Sequence, residues 1–146
     1  MTVLVRDVSR ADEMRWRELF RGYTDFYNEV VPQAVVDLTW QRIVAGEDGM
    51  AGLVAVDGAG TVCGLANLVF HRSTWAADCY CYLEDLYADA NMRGQGIGRA
   101  LIEGTYALAD ARGASRTYWT TQDTNVTARR LYDRVGVLTP FVQYRR

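Results

Sequence analysis

The chain has 146 residues, of which 49% are apolar and 23% charged, and its formal net charge is −2. That length suits one hydrophobic core, so residues 1–146 are read as one domain, and the composition excludes disorder as the main state. No apolar run approaches the roughly 18 residues of a membrane span, and Met1 to Asp7 lacks the apolar stretch of a secretory signal. No basic field is present to hold nucleic acid. A cytoplasmic protein with neither membrane nor nucleic-acid partners is the expectation.

All sixteen basic residues are arginine. The three cysteines, Cys63, Cys79 and Cys81, form an odd set, which argues against a disulfide framework. One histidine, His71, cannot supply a metal cluster, so no metal is expected. His71 reads as a strand-end or loop residue.

Ser9 is placed to cap a first helix, with Asp12 and Glu13 in its first turn. Trp16, Leu19, Phe20, Tyr23 and Tyr27 follow at helical spacing and make one apolar stripe. Asn28 to Pro32 breaks it, and a second helix is expected from Val35 to Val44. Ala51 to Asp57 and Thr61 to Phe70 read as a hairpin around Gly58-Ala59-Gly60. After a loop from His71 to Asp78, Cys79 to Tyr87 reads as a central strand. A helix is expected from about Gly98 to Arg112, stopped by Gly113. A strand from Arg116 to Thr121, a helix opened by Thr124 or Asn125 with inner residues Ala128, Leu131, Tyr132 and Val135, and a last strand from Phe141 to Tyr144 complete the chain. The order predicts an α/β sandwich around a mixed sheet.

The chemistry concentrates in Arg93-Gly94-Gln95-Gly96-Ile97-Gly98-Arg99, between a strand and a helix. A helix start exposes free N–H groups and the positive end of the macrodipole. Glycines let a ligand approach that backbone, and the two arginines add fork-shaped donors, so the segment suits a phosphate. The dinucleotide pattern G-x-G-x-x-G fails at Arg99 and Leu101, and a P-loop needs a lysine that the chain lacks. The pattern R/Q-x-x-G-x-G/A is matched by Arg93, Gly96 and Gly98.

That pattern resembles the pyrophosphate signature of the GNAT superfamily of N-acetyltransferases. Tyr82-Leu-Glu-Asp-Leu-Tyr87 is similar to the family's central strand, and is especially like that of spermidine/spermine acetyltransferases. Asn125-x-x-Ala128-x-x-Leu131-Tyr132 is similar to its later helix. The stretch from Trp16 through Phe26-Tyr27 to Trp40 resembles a subgroup of histone and polyamine acetyltransferases. The resemblance covers residues 51–146 well and the N-terminal helices loosely. It implies a largely antiparallel mixed sheet with two splayed parallel central strands and helices on both faces. It also implies acetyl-CoA as co-substrate: the backbone of Leu86, Tyr87 and Ala88 on the pantetheine arm, the amides from Arg93 to Arg99 (Gly94, Gln95, Gly96, Ile97 and Gly98 between them) on the pyrophosphate, and Asn125 with Ala128 beside the pantetheine.

Amine acetylation requires loss of the ammonium proton, stabilisation of the carbonyl oxygen and a proton for the thiolate. By resemblance, Glu84 is the base. It lies two residues before Leu86, so both side chains are expected on one strand face, with Asp85 on the other as a structural residue, paired with an arginine. Tyr132, a phenol protonated at neutral pH, is the acid, and the Leu86 N–H is the oxygen's partner. Acceptor-site residues implied by the family are Tyr23, Phe26, Tyr27, Asn28 and Glu29, with Trp75 and Tyr82 opposite. The acceptor expected is a small amine such as a polyamine or amino acid; a peptide lysine or N-terminus and a non-catalytic acyl-CoA sensor are the alternatives. Many members are homodimers, which is the expectation here, although Gly136-Val-Leu-Thr-Pro140 lacks the family's usual Gly-Phe pair before the last strand.

Overall fold

A computed structural model describes residues 2–146. In chain order it contains β1 (Leu4–Asp7), α1 (Glu13–Phe26), α2 (Gln33–Ala45), β2 (Met50–Val56), β3 (Val62–His71), β4 (Cys79–Ala88), α3 (Ile97–Ala111), β5 (Ala114–Tyr118) and α4 (Val126–Val135). The five strands form one sheet in sequence order. The first four pair antiparallel, and β4 pairs parallel with β5. This is the mixed α/β architecture expected. One detail differs: in the single chain β5 is an edge strand, so only β4 of the parallel pair is interior.

Two apolar layers sandwich the sheet. Trp16, Leu19 and Phe20 of α1 join Trp40 and Ile43 of α2 against Val54, Val62 and Leu65. Ile97, Leu101, Ile102 and Ala109 of α3 pack on the other face against Leu53, Ala66, Leu68 and Leu83, with Leu131 and Tyr132 of α4 at the margin. The α1 stripe is therefore core at its start. Towards its end it opens out: Tyr23 and Tyr27 are half-buried and Phe26 is exposed.

Local signals account for most element ends. The Ser9 N–H and hydroxyl both donate to Asp12, at 2.8 and 3.2 Å, closing the turn before α1. Asn28 has a positive φ where the chain leaves α1. At Gly64 a side chain would meet Ile97 Cγ2 at 2.7 Å, so the bare backbone is what lets the start of α3 settle on β3.

Two expectations fail. The strand β1 was not expected; its four residues pair with Leu53–Val56 and carry too short a pattern to register as a strand. Conversely, Phe141 to Tyr144 forms no strand. Residues 137–146 pair with nothing within the chain, and Phe141 and Tyr144 are 88% and 93% exposed. A strand needs a partner ladder, and within one chain the tail does not lie along either free edge of the sheet, β1 or β5. Among the described residues, no helix is long and apolar enough to cross a membrane.

Candidate functional site

The site arises where β4 and β5 part. Their register runs from Cys79 against Ala114 to Tyr82 against Tyr118 and ends there, while β4 continues to Ala88. On its other side β4 stays paired with β3 through Ala66–Leu86 and Gly64–Ala88. The β5-facing edge of Leu86 to Ala88 is thus open to an extended ligand, as expected for a pantetheine arm.

A β-bulge lies beside this opening. Asn67 pairs with Asp85 and Leu68 with Leu83, so Glu84 is an extra residue on β4. The bulge overturns the expectation that Glu84 and Leu86 share a face by simple alternation. Leu83 and Leu86 both pack towards α3, whereas Asp85 turns towards α1. Glu84 sits on the bulge, exposed, at the mouth of the gap. The gap is lined by Tyr23, Tyr27, Glu84, Leu86, Trp119, Thr120 and Tyr132, with Leu83 at its floor. Glu84, Leu86, Tyr132 and Tyr27 are therefore brought together as the sequence implied.

Asp85 is not the arginine-paired residue expected. Its Oδ2 accepts from Asn67 Nδ2 at 3.0 Å, and the Tyr23 hydroxyl lies beside it. Burial, joined by the charge of Glu84, pushes its carboxyl up to about 6 against the opposing hydrogen bonds from Asn67 and Tyr23. Asn67 is itself buried, and its Oδ1 accepts from Trp16 Nε1 at 3.1 Å. Burial and the neighbouring Asp85 also raise the Tyr23 phenol far above its ordinary value. Burial raises Tyr132 to about 12, so it remains a phenol at neutral pH; its ring meets Trp119 edge-on at 5.5 Å.

The glycine-rich loop follows β4. Asp89 accepts from the Asn91 N–H at 2.9 Å and is ion-paired with Arg15 of α1. Arg15 also donates to the Val62 carbonyl at 2.8 Å, so α1 tethers the loop's entrance. Gly96 takes φ 78° as the residue before α3, and no atom lies within 4 Å of where its side chain would be. Arg93, Gly94, Gln95, Gly96 and Arg99 are exposed, while Ile97 is buried as an anchor. Such an open loop ahead of a 15-residue helix has the free amides and dipole that an anion needs. The Arg93 guanidinium stands 5.4 Å from the Tyr87 ring and 5.5 Å from the Phe26 ring. Asn125 lies directly before α4 and donates from Nδ2 to Thr121 Oγ1 at 3.1 Å; Ala128 is half-buried one turn later.

Not every acceptor-site residue converges. Trp75 is 84% exposed on the loop before β4, at the far end of that strand from Leu86. Its backbone is held by Ser73 and its loop by the Arg72–Asp78 pair, so the ring is directed into solvent rather than the gap. Tyr82 stacks on Tyr118 at 4.8 Å, where the strands part. Glu29 is exposed beyond the end of α1. His71 closes β3: its Nε2 lies 2.6 Å from the Tyr118 hydroxyl and its Nδ1 2.7 Å from the Arg72 carbonyl. A carbonyl only accepts, so Nδ1 carries the hydrogen and Nε2 accepts from Tyr118. The three cysteines are free and buried.

Sequence reasoning missed Asn67 with Asp85, and Trp119 with Thr120. A polar Asn within an otherwise apolar strand was the available signal for the first pair. The second pair follows the end of β5, and nothing local marks it.

A model of the acetyltransferase (GNAT) family matches residues 16–137. The chain is 32% identical over 145 residues to the D-amino-acid N-acetyltransferase HPA3 of Saccharomyces cerevisiae, covering 99% of this chain and 90% of that one. It is 37% identical over 70 residues to the thialysine N-ε-acetyltransferase of Caenorhabditis elegans, covering 47% and 43% of the two chains. The fold also matches that of the aminoglycoside N-acetyltransferase AAC(6′)-Iy in complex with CoA, with a TM-score of 0.84 at 16% identity over 99% of this chain and 94% of that one.

Proposed function

The chain belongs to the GNAT acetyltransferase family and is an N-acetyltransferase of that type, and from this premise we propose that residues 1–146 act as one unit that moves an acetyl group from acetyl-CoA to a small primary amine. The observation that carries this reading is the gap opened beyond Tyr82 and Tyr118, lined by Glu84 and Leu86 of β4 and by Tyr132 of α4.

Acetyl-CoA enters with its pyrophosphate on the amides from Arg93 to Arg99. Its pantetheine arm continues the sheet along Leu86, Tyr87 and Ala88, passing Asn125 and Ala128. The Leu86 N–H then faces the thioester oxygen, where negative charge grows in the transition state. Glu84 attracts the ammonium and can take its proton, directly or through water. The nitrogen lone pair attacks the carbonyl carbon, the C–S bond breaks, and the Tyr132 hydroxyl protonates the leaving thiolate. Burial keeps that hydroxyl protonated until it is used.

The acceptor slot is the narrow gap between Tyr23 and Tyr27 on one side and Trp119 and Thr120 on the other. Aromatic walls with a carboxylate at the mouth suit a compact organic cation, such as an amino acid or polyamine, better than a peptide chain. Two relatives act on amino-acid amines by name. Phe26 and Glu29 extend the slot outward. Tyr82, stacked on Tyr118, marks its end where the strands part.

The assay is thiol release from acetyl-CoA across a panel of amines, with coenzyme binding followed by calorimetry. Amino acids and polyamines should give turnover, and Tyr132→Phe should lower kcat by about 10- to 100-fold with coenzyme affinity unchanged. Gly96→Asp should abolish coenzyme binding by placing a carboxylate against the pyrophosphate. Tight coenzyme binding with no release would mark a sensor instead.

The unpaired tail supports a homodimer. Val137, Leu138, Phe141, Val142 and Tyr144 are all exposed, and β5 has a free edge. A second copy would satisfy both features. Truncation after Gly136 should halve the mass measured by analytical ultracentrifugation; a full-length monomer would refute this arrangement.

A further inference from the structure

Two neighbouring carboxylates meet the acceptor slot by different routes. Glu84 lies on the bulge in solvent. Asp85 is turned inward and ends a polar chain that runs through an otherwise apolar layer. Trp16 Nε1 donates to Asn67 Oδ1, and Asn67 Nδ2 donates to Asp85 Oδ2. The indole is fully buried, stacked 5.0 Å from Phe20 and tilted against Trp40 at 5.2 Å, so its N–H direction is fixed. That N–H needs an oxygen, which settles which way the Asn67 amide faces. Asp85 Oδ2 is thus occupied, and Oδ1 remains able to take a proton. Between Asp85 and the slot stands Tyr23, whose ring lines the slot and whose hydroxyl lies beside the carboxylate and donates over a long 3.4 Å to the Glu84 carbonyl, so that rotation about its C–O bond turns the hydrogen to Asp85. An acid held this way, with no cation paired to it among the described residues, is a costly arrangement for stability alone.

We propose that Asp85 is the proton acceptor of the reaction, reached through the Tyr23 hydroxyl, with Asn67 and Trp16 as its positioning residues and Glu84 left to attract the cationic amine. The inference rests on the acetyltransferase reading above and divides the base function that Glu84 was given there. As the ammonium N–H bond breaks, its proton passes to Tyr23 Oη while the Tyr23 proton passes to Asp85 Oδ1. The freed lone pair forms the C–N bond, the thiolate leaves and takes the Tyr132 proton, and exchange with water resets both groups. The groups facing this path are Tyr23 from α1 and Tyr27 just after it, Tyr82 and Glu84 from β4, and Asn67 from β3.

The test is the pH dependence of kcat/KM for an amine that the wild type acetylates, compared across Asp85→Asn, Tyr23→Phe and Glu84→Gln. The wild type should lose activity on the acid side with an apparent pKa near 6, the value to which burial lifts Asp85. Asp85→Asn should lower kcat about 100-fold and abolish that limb. Tyr23→Phe keeps the ring and the fold and should lower kcat by at least tenfold, so the path stays testable if Asp85→Asn misfolds. Glu84→Gln should raise KM for the amine and retain the limb. The proposal is overturned if the limb survives in Asp85→Asn or Tyr23→Phe at near wild-type kcat, or if Glu84→Gln alone removes it. Wild-type protein that releases no thiol with any amine would fell the broader reading first, a result distinct from active wild type with indifferent Asp85 variants.

Discussion

Asp12 is buried and Asp85 half-buried, and the two carboxylates are treated oppositely by their surroundings. Asp12 receives both arms of the Arg6 guanidinium at 2.8 and 2.9 Å, with the Ser9 N–H and hydroxyl besides. The Arg6 fork holds its carboxyl below the usual carboxylate range, against the opposing effect of burial. Asp85 has an amide and a phenol for partners, and its carboxyl is pushed up to about 6. The difference teaches how to tell a structural acid from a working one. The first stabilises its own charged form; the second is held near the point where it exchanges a proton at physiological pH.

The largest effect should come from breaking the structural side of this contrast. Asp12→Ala strands Arg6, removes the turn that starts α1 and empties a buried position. Loss of about 3 kcal/mol in urea denaturation at pH 7 is expected, the lower end for a broken buried pair because Arg6 is 39% exposed. The melting temperature should fall by roughly 6–12 °C. Turnover per folded molecule should persist. A loss below about 1 kcal/mol would show that Asp12 is no better anchored than a surface acid.

Asn67→Ala should rank next. It leaves the buried Trp16 N–H unpaired and takes away the donor that favours the ionised Asp85. A cost of about 2 kcal/mol at pH 7 is expected. Losing that donor raises Asp85 further, so the deficit should shrink at pH 5, where the carboxyl carries its proton in both proteins. A deficit constant with pH would mean that Asn67 serves Trp16 alone.

How far the sequence revealed these roles depends on which residues carry the information. The α1 stripe, the strand at 79–88 and the loop at 93–99 were legible, because helical spacing, apolar runs and glycines act locally. Glu84, Leu86 and Tyr132 could be named in advance through the family pattern. Asp85 does lie on the face opposite Leu86, but its partners are Asn67 and Tyr23 rather than an arginine. Alternation along β4 misplaced Glu84 instead, because the bulge opposite Asn67–Leu68 resets it. A bulge depends on the facing strand, so neither strand's sequence announces it. The same holds for β1, whose four residues are a strand only because β2 offers them an edge. Phe141 to Tyr144 read as a strand, yet an apolar run supplies no partner.

Asp85→Asn should move stability in the other direction. A group whose folded pKa is raised favours the fold fully below its unfolded value, about 4, and this contribution is lost as pH rises through about 6. At pH 7.5 the wild type therefore bears the cost of an ionised Asp85, and the amide does not. A gain on the order of 1–2 kcal/mol is expected at pH 7.5, with little or none at pH 4. Asp12 has the opposite slope, contributing above about 4 and failing as pH falls below it. Stability curves for wild type and Asp85→Asn should thus converge in acid. Parallel curves would remove the raised carboxyl from the argument.

The smallest effect is expected one residue away. Glu84→Gln alters an exposed side chain on the bulge, with none of its oxygens committed to a protein partner among the described hydrogen bonds. A stability change within about 0.5 kcal/mol is expected at pH 7.5. The value of this variant lies in its closeness to Asp85. The two carboxylates share a strand and a neighbourhood, so long-range field effects on them are similar. If Glu84→Gln stabilised the fold as much as Asp85→Asn, the benefit in both would come from removing a negative charge beside the slot. If Asp85→Asn alone does so, the cause is the burial that the bulge imposes on one acid and spares the other.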